Sequence, residues 1–135
     1  MGAGEFSPRV ARMVFFERDG EACFRCRRPL RWHERGFSWS LHHRKPRGMG
    51  SSLDPIVGSA SNAIPLCGHA TSPDGCHHWA EKYRDTAREH GYLIPRNATT
   101  PEYAPTAVRV KDMYGQWWLL TESGRAVEVD GGSRT

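Results

Sequence analysis

Along the chain the apolar residues change period three times. Val10, Met13 and Val14, with Phe16 or Glu17 beyond them, follow a helical spacing, and Ser7-Pro8 supplies an N-cap and a first-turn proline. Asp19-Gly20 ends this short helix. Arg9, Arg12 and Arg18 decorate it, and a solvated face accounts for them better than a dedicated DNA contact. From Phe37 to His43 (FSWSLHH), Phe37, Trp39 and Leu41 alternate with Ser38, Ser40 and His42, the period of a half-buried strand. Pro46, Gly48 and Gly50 close it, and residues 44–60 read as a turn-rich loop of the length that usually carries function. Asn62 to Leu66 (NAIPL) is a second short apolar piece, which Pro65 confines to an edge or strand end. From Cys76 the helical period returns in Trp79, Ala80, Tyr83 and Ala87, with Gly91 as the stop and Pro95 after it. Ala107 to Lys111, Gln116 to Thr121 and Ala126 to Val129, separated by Tyr114-Gly115 and Ser123-Gly124, predict small strands or hairpins.

These elements make an α+β chain, and 135 residues is one domain's worth. Residues 1–6 are expected to be disordered and stay outside the fold; 7–95 form the core, and 96–135 a strand-bearing extension with a frayed tail. Composition changes the picture. Leu, Ile, Val and Phe together number 22, about 16%, which is thin for a packed core. Four Cys, seven His and five Trp point instead to a domain held by metal and aromatic packing. The longest uninterrupted apolar runs, Met13 to Phe16 among them, are four residues, so no membrane span or secretory core is expected and the protein reads as cytoplasmic. In that reducing setting the cysteines are better metal ligands than disulfides.

Charge is unevenly spread. Residues 1–48 carry a balance of +6 and the remainder −2, and sixteen of the nineteen basic residues are Arg, whose fork suits phosphate. That asymmetry favours a polyanion partner.

The cysteines fall into two hooks, Cys23/Cys26 and Cys67/Cys76, and two such hooks brought together make a closed structural zinc site. The eight residues inside the second hook leave room for His69 to replace a ligand. A second constellation comprises His42-His43, Asn62 and His77, with Glu81 four residues after His77 and on its face of the helix. Neighbouring strand residues point to opposite faces, so His42 and His43 need a twist or bulge to share one site.

In these residues the chain resembles the HNH endonucleases, in the small zinc-containing form common in bacteriophages. The runs that carry the likeness are LHHRKPRGMG at Leu41 to Gly50, SNAIPLC at Ser61 to Cys67 and GCHHWAEKYR at Gly75 to Arg84. The resemblance implies a ββα-metal finger, with His43 as general base, Asn62 bracing the base loop, and His42 and His77 holding a catalytic divalent ion (Mg²⁺, Mn²⁺, Ni²⁺ or Zn²⁺). Cys23, Cys26, Cys67 and Cys76 would bind the structural zinc. Glu81 and His78 are candidates for a further ligand or for a residue orienting one, and His78 leaves the choice between His77 and itself open. Ser51 and the long Cys67 to Cys76 interval depart from the family pattern.

The implied reaction is hydrolysis of a DNA phosphodiester. A histidine with a reference pKa of about 6.5 is mostly neutral at pH 7 and can take the proton of an attacking water. Arg44, Lys45 and Arg47 are expected to grip phosphates of double-stranded DNA beside the cut, whereas Trp117-Trp118 is better read as core or hairpin packing than as a base-stacking pair. The likeness also implies genome packaging, with the phage large terminase subunit as partner in the host cytoplasm. A rival reading keeps zinc and basic surface without chemistry, as a DNA-binding zinc-knuckle module or packaging adaptor.

Overall fold

The computed structural model describes residues 5–46, 55–68 and 74–130. Over the described residues it is an α+β structure with two small antiparallel sheets. The first helix, α1 (Pro8–Arg12), is capped as the sequence predicts, with Ser7 Oγ accepting from the Val10 N–H at 3.1 Å. It widens into a π-helical stretch, Met13–Arg18, that ends at Asp19. Phe6, one residue before the cap, is 5% exposed. The expected disorder of residues 1–6 is therefore corrected at Phe6: an apolar residue there docks as the staple of a capped helix, and Phe6 and Ala11 share the core.

Strand β1 (Trp39–His43) pairs with β2 (Ala63–Cys67) in the register Trp39 to Cys67 and His43 to Ala63. Pro65 is tolerated because each strand of a two-stranded sheet is an edge, and its carbonyl accepts from the Phe24 N–H at 2.9 Å. Helix α2 (Cys76–Lys82) packs on both strands, and α3 (Arg84–Glu89) follows after a break at Tyr83, so the single helical run expected from Cys76 to Gly91 is corrected to two short helices, with Tyr83 exposed at their junction and not on an apolar face. Gly91 closes α3 at φ +87°, where a Cβ would collide with the Arg109 carbonyl. Strands β3 (Val110–Lys111), β4 (Trp117–Leu120) and β5 (Ala126–Val129) make the second sheet.

Aromatic rings supply the bulk that aliphatic residues lack. Phe15 stacks on the fully buried Trp39 at 4.6 Å and meets Trp32 at 5.4 Å, and the Trp39 indole donates to the Arg31 carbonyl at 2.7 Å. Arg18, expected on a solvated face, is buried instead. It pairs with Asp19 at 2.7 Å and donates to the Ala60 and Ala63 carbonyls, tying the first helix to the start of β2.

Arg44 also departs from expectation. It is fully buried, and its guanidinium donates to the carbonyls of Gly91 (2.8 Å), Ser61 (3.0 Å), Pro105 (2.7 Å) and Val108 (2.6 Å). The end of β1, the approach to β2 and the residues before β3 are thus stitched together by one side chain, which ties Pro105 and Val108 of the C-terminal segment into the core. Arg44 therefore cannot grip phosphate: its planar fork is spent on backbone oxygens. Arg44→Ala should cost about 3–5 kcal/mol, the usual range when one side of a buried charged network is removed. Urea unfolding measures it, and a loss below about 1 kcal/mol would contradict the stitching role.

Candidate functional site

The cysteines of the two hooks converge. Their four Sγ atoms lie within 4.8 Å of one another and could hold a metal ion; among the described residues no other group of three or more His, Cys, Asp or Glu does so. All four are free thiols. The fit to a tetrahedral ion is close: zinc–sulfur bonds of about 2.3 Å separate the sulfurs by about 3.8 Å, and Cys26 and Cys67 are 3.7 Å apart. The first hook is a tight turn in which the Arg27 N–H donates to the Cys23 carbonyl and the Cys23 N–H to that of Arg28. The two ends of the second hook's long interval meet. Gly75 lies so near the Cys67 carbonyl that a Cβ would meet it at 2.7 Å, and the Cys76 N–H donates to Cys67 Sγ at 3.3 Å. His69 lies outside the described residues. Within the cluster the Cys23 thiol donates to its neighbours, which holds Cys26 down to about 6 and Cys67 well below the usual thiol range, while Cys23 itself is pushed up.

The histidines converge elsewhere. His42, His43, His77 and Glu81 line one cleft of about 470 Å³, on the flank of α2 that faces the end of β1. The ring centroids of His42 and His77 are 5.7 Å apart. Two imidazoles sharing one ion at about 2.1 Å from each nitrogen hold their centroids about 5 Å apart, so the pair fits a cation with a small closure. His42 Nε2 lies 2.7 Å from the Tyr92 carbonyl. A carbonyl only accepts, so Nε2 carries the proton and Nδ1 keeps the lone pair a metal needs. His43 is half-buried, its ring stacked on Phe6 at 4.0 Å and 17°.

Asn62, fully buried, accepts from the Lys45 N–H at 2.7 Å and donates to the Lys45 and Val57 carbonyls. The chain leaving His43 is held there by a buried side chain that makes three hydrogen bonds. Lys45 is 8% exposed and its Nζ donates to the Ala98 carbonyl at 3.2 Å. As with Arg44, its expected phosphate grip is corrected: the ammonium is used inside the fold. Arg47 lies outside the described residues. His78 lines a different cleft, beside the cysteines, because adjacent helix positions diverge by about 100°; it is not beside His42, and of the two histidines His77 is the one that is.

Two residues at the histidine site were not anticipated: Arg84, which lines the cleft, and Phe6, which stacks on His43 without being part of the cleft's lining. Arg84 pairs with Glu81 at 3.0 Å; its position seven after His77 was the available signal. Phe6 was signalled by its place before the Ser7 cap.

Burial, opposed by the bond to Tyr92, pushes the His42 imidazole down to about 4. The unfolded chain protonates near pH 6.5 and the folded one only near 4. The stability this neutral histidine confers is therefore complete above pH 6.5 and is lost as pH falls towards 4. Between pH 7 and 5 the loss should be about 2 kcal/mol. Urea unfolding of wild type and His42→Gln at both pH values isolates it, and equal pH slopes would refute it. No family model, curated protein or solved structure matches this chain, so the functional reading rests on the geometry of its two centres and the resemblance of its motifs.

Proposed function

We propose that this chain is a metal-dependent endonuclease of the HNH kind, built on a ββα-metal core, that hydrolyses DNA phosphodiester bonds, with structural zinc in the four-cysteine cluster. The observation that carries the reading is the convergence of His42, His43, His77 and Glu81 on one cleft. Two imidazoles and a carboxylate along the same cleft are donor types that suit Ni²⁺ or Zn²⁺ through nitrogen and Mg²⁺ or Mn²⁺ through oxygen. His42 and His77 would hold the ion, and Glu81 becomes available to it by leaving Arg84. When bound, such an ion supplies charge stabilisation for the phosphate and its leaving oxygen.

The chain's own residues supply the rest. His43 takes the proton of the attacking water; Phe6 against its ring and Asn62 on the backbone of Lys45, two residues on, hold the base in one orientation. Arg84 is the cation nearest the reacting phosphate in this scheme, since Arg44 and Lys45 are committed elsewhere. The bond broken lies between phosphorus and the 3′ oxygen, which departs as the water oxygen arrives on the opposite side. A DNA-binding module without chemistry has no use for this set of side chains in one cleft. A place in phage genome packaging beside the large terminase subunit rests on the resemblance alone.

Supercoiled plasmid tests the proposal. Nicked or linear DNA should form with Mg²⁺ or Mn²⁺ and not in EDTA. Plasmid that stays supercoiled with each of Mg²⁺, Mn²⁺, Ni²⁺ and Zn²⁺, while still being bound, would establish the noncatalytic module instead.

A further inference from the structure

With Arg44 and Lys45 spent inside the fold, phosphates on either side of a cut need other cations, and these collect on the far flank of α2. A cleft of about 270 Å³ there is lined by Arg25, Arg28 and Lys82 together with the rings of Trp79 and Tyr83; Asp74 is the one acid among its lining residues. The Arg25 guanidinium sits 3.7 Å from the centre of the Trp79 ring, and the Lys82 ammonium 5.4 Å from that of Tyr83.

The pattern continues on to the second sheet. Trp79 stacks with His90 at 5.9 Å, His90 meets Trp117 at 6.5 Å, and Lys111 Nζ lies 5.8 Å from the Trp117 ring centre. Backbone bonds hold these segments side by side: the Met113 N–H donates to the Arg25 carbonyl at 2.9 Å and the Lys111 N–H to that of His90 at 2.8 Å. Rings and cations therefore alternate along one strip from the zinc knuckle to β4.

Ring packing alone would explain Arg25, which also donates to Cys76 Sγ at 3.4 Å. It accounts for the positions of Lys82 over Tyr83 and Lys111 over Trp117 but not for Arg28, and it leaves the charge of all three without a neutralising partner. Among the described residues none of these has a carboxylate within ion-pair distance, whereas Arg84 and Arg88 on the neighbouring face pair with Glu81 and Asp85. The local potential is positive enough to reach His90, whose imidazole is pushed below its usual value by burial and then by the charges of Lys111 and Arg25. Uncompensated cations interleaved with aromatic faces are the chemistry that holds a nucleic-acid strand: cations for phosphates, rings for sugars and bases.

We infer that this strip anchors the DNA backbone on one side of the cut, with phosphates on Arg28, Lys82 and Lys111 and with Trp79 and Trp117 against the sugars. A helix about 10 Å across separates it from the histidine cleft, a span of roughly three base-pair rises of 3.4 Å. The inference rests on the endonuclease reading for the location of the cut.

Binding in EDTA separates it from cleavage. Fluorescence anisotropy with a labelled duplex of about 20 base pairs, titrated across salt, compares wild type, Arg28→Gln/Lys111→Gln and the charge-matched control Arg9→Gln/Arg125→Gln. The strip variant should bind about 10-fold more weakly, and its slope of log affinity against log salt should be shallower by about 2, close to 0.9 per lost phosphate contact. The control should follow wild type, and thermal melts confirm that all three fold. A strip variant with the wild-type slope, a control that loses as much, or a wild type that binds no DNA overturns the inference. Plasmid cleavage with Mn²⁺ is scored separately: nicking with unaltered variant binding refutes the strip alone, and strip-dependent binding without nicking refutes the nuclease alone.

Discussion

His43→Ala should slow plasmid nicking by roughly 10²–10⁴-fold while leaving zinc content and DNA affinity close to wild type. The magnitude is that of removing a positioned general base. Without it, water must lose its proton to solvent as it attacks. His43 suits the role because its surroundings fix it. β1 delivers it to the cleft, Phe6 stacks on its ring at 4.0 Å, and Asn62 secures the next turn of chain at Lys45. The measurement is the initial rate at saturating DNA beside the anisotropy affinity. A variant that nicks as fast as wild type removes His43 from the chemistry, and a variant that loses binding and rate together makes it a DNA contact. The fold should survive the change, since His43 is half-buried and its partner ring remains packed in the core.

Loss of the cysteine-bound metal should unfold the chain. Structural zinc supplies about 10–16 kcal/mol of apparent binding energy at pH 7 in small domains, against a net stability of about 5–15 kcal/mol for a typical domain. The aliphatic core here is small, so little remains to hold the hooks once the ion is gone. Cys67→Ser is the sharpest single change. Cys67 lies at the end of β2, opposite Trp39, and its sulfur meets Cys26 at 3.7 Å and the Cys76 N–H at 3.3 Å. Circular dichroism with metal analysis should find one tightly held zinc per chain in wild type and a largely unfolded Cys67→Ser. A chain that keeps its melting transition after chelation would refute the metal-stapled core.

Element by element, what could be read in advance is what depends on near neighbours in the chain. The Ser7 cap, the stop at Gly91 and the burial of Trp39 and Leu41 follow from local backbone geometry and side-chain period, whereas Phe37, expected on the same apolar face, lies outside the strand and is exposed, and His42, expected on the polar face, is buried by tertiary packing. The pairing of the two cysteine hooks was legible for a related reason: four thiols in an aliphatic-poor chain have one economical use. The arginines were not legible. Arg18, Arg44 and Arg84 have the same side chain in similarly polar stretches, yet one pins a helix to a strand, one bonds four carbonyls and one lines the cleft. Composition describes how many positive charges there are and not which of them reach solvent.

The amino-acid order alone determined the helix, strand, strand, helix succession, the cysteine hooks and the histidines, because each is a pattern within a few residues or a residue type with few alternatives. Assigning duties to the cations took long-range packing. Whether a guanidinium faces phosphate or backbone depends on which carbonyls the fold leaves without partners. For Arg44 those belong to Ser61, Gly91, Pro105 and Val108, residues 17 to 64 positions away, and no local pattern announces them.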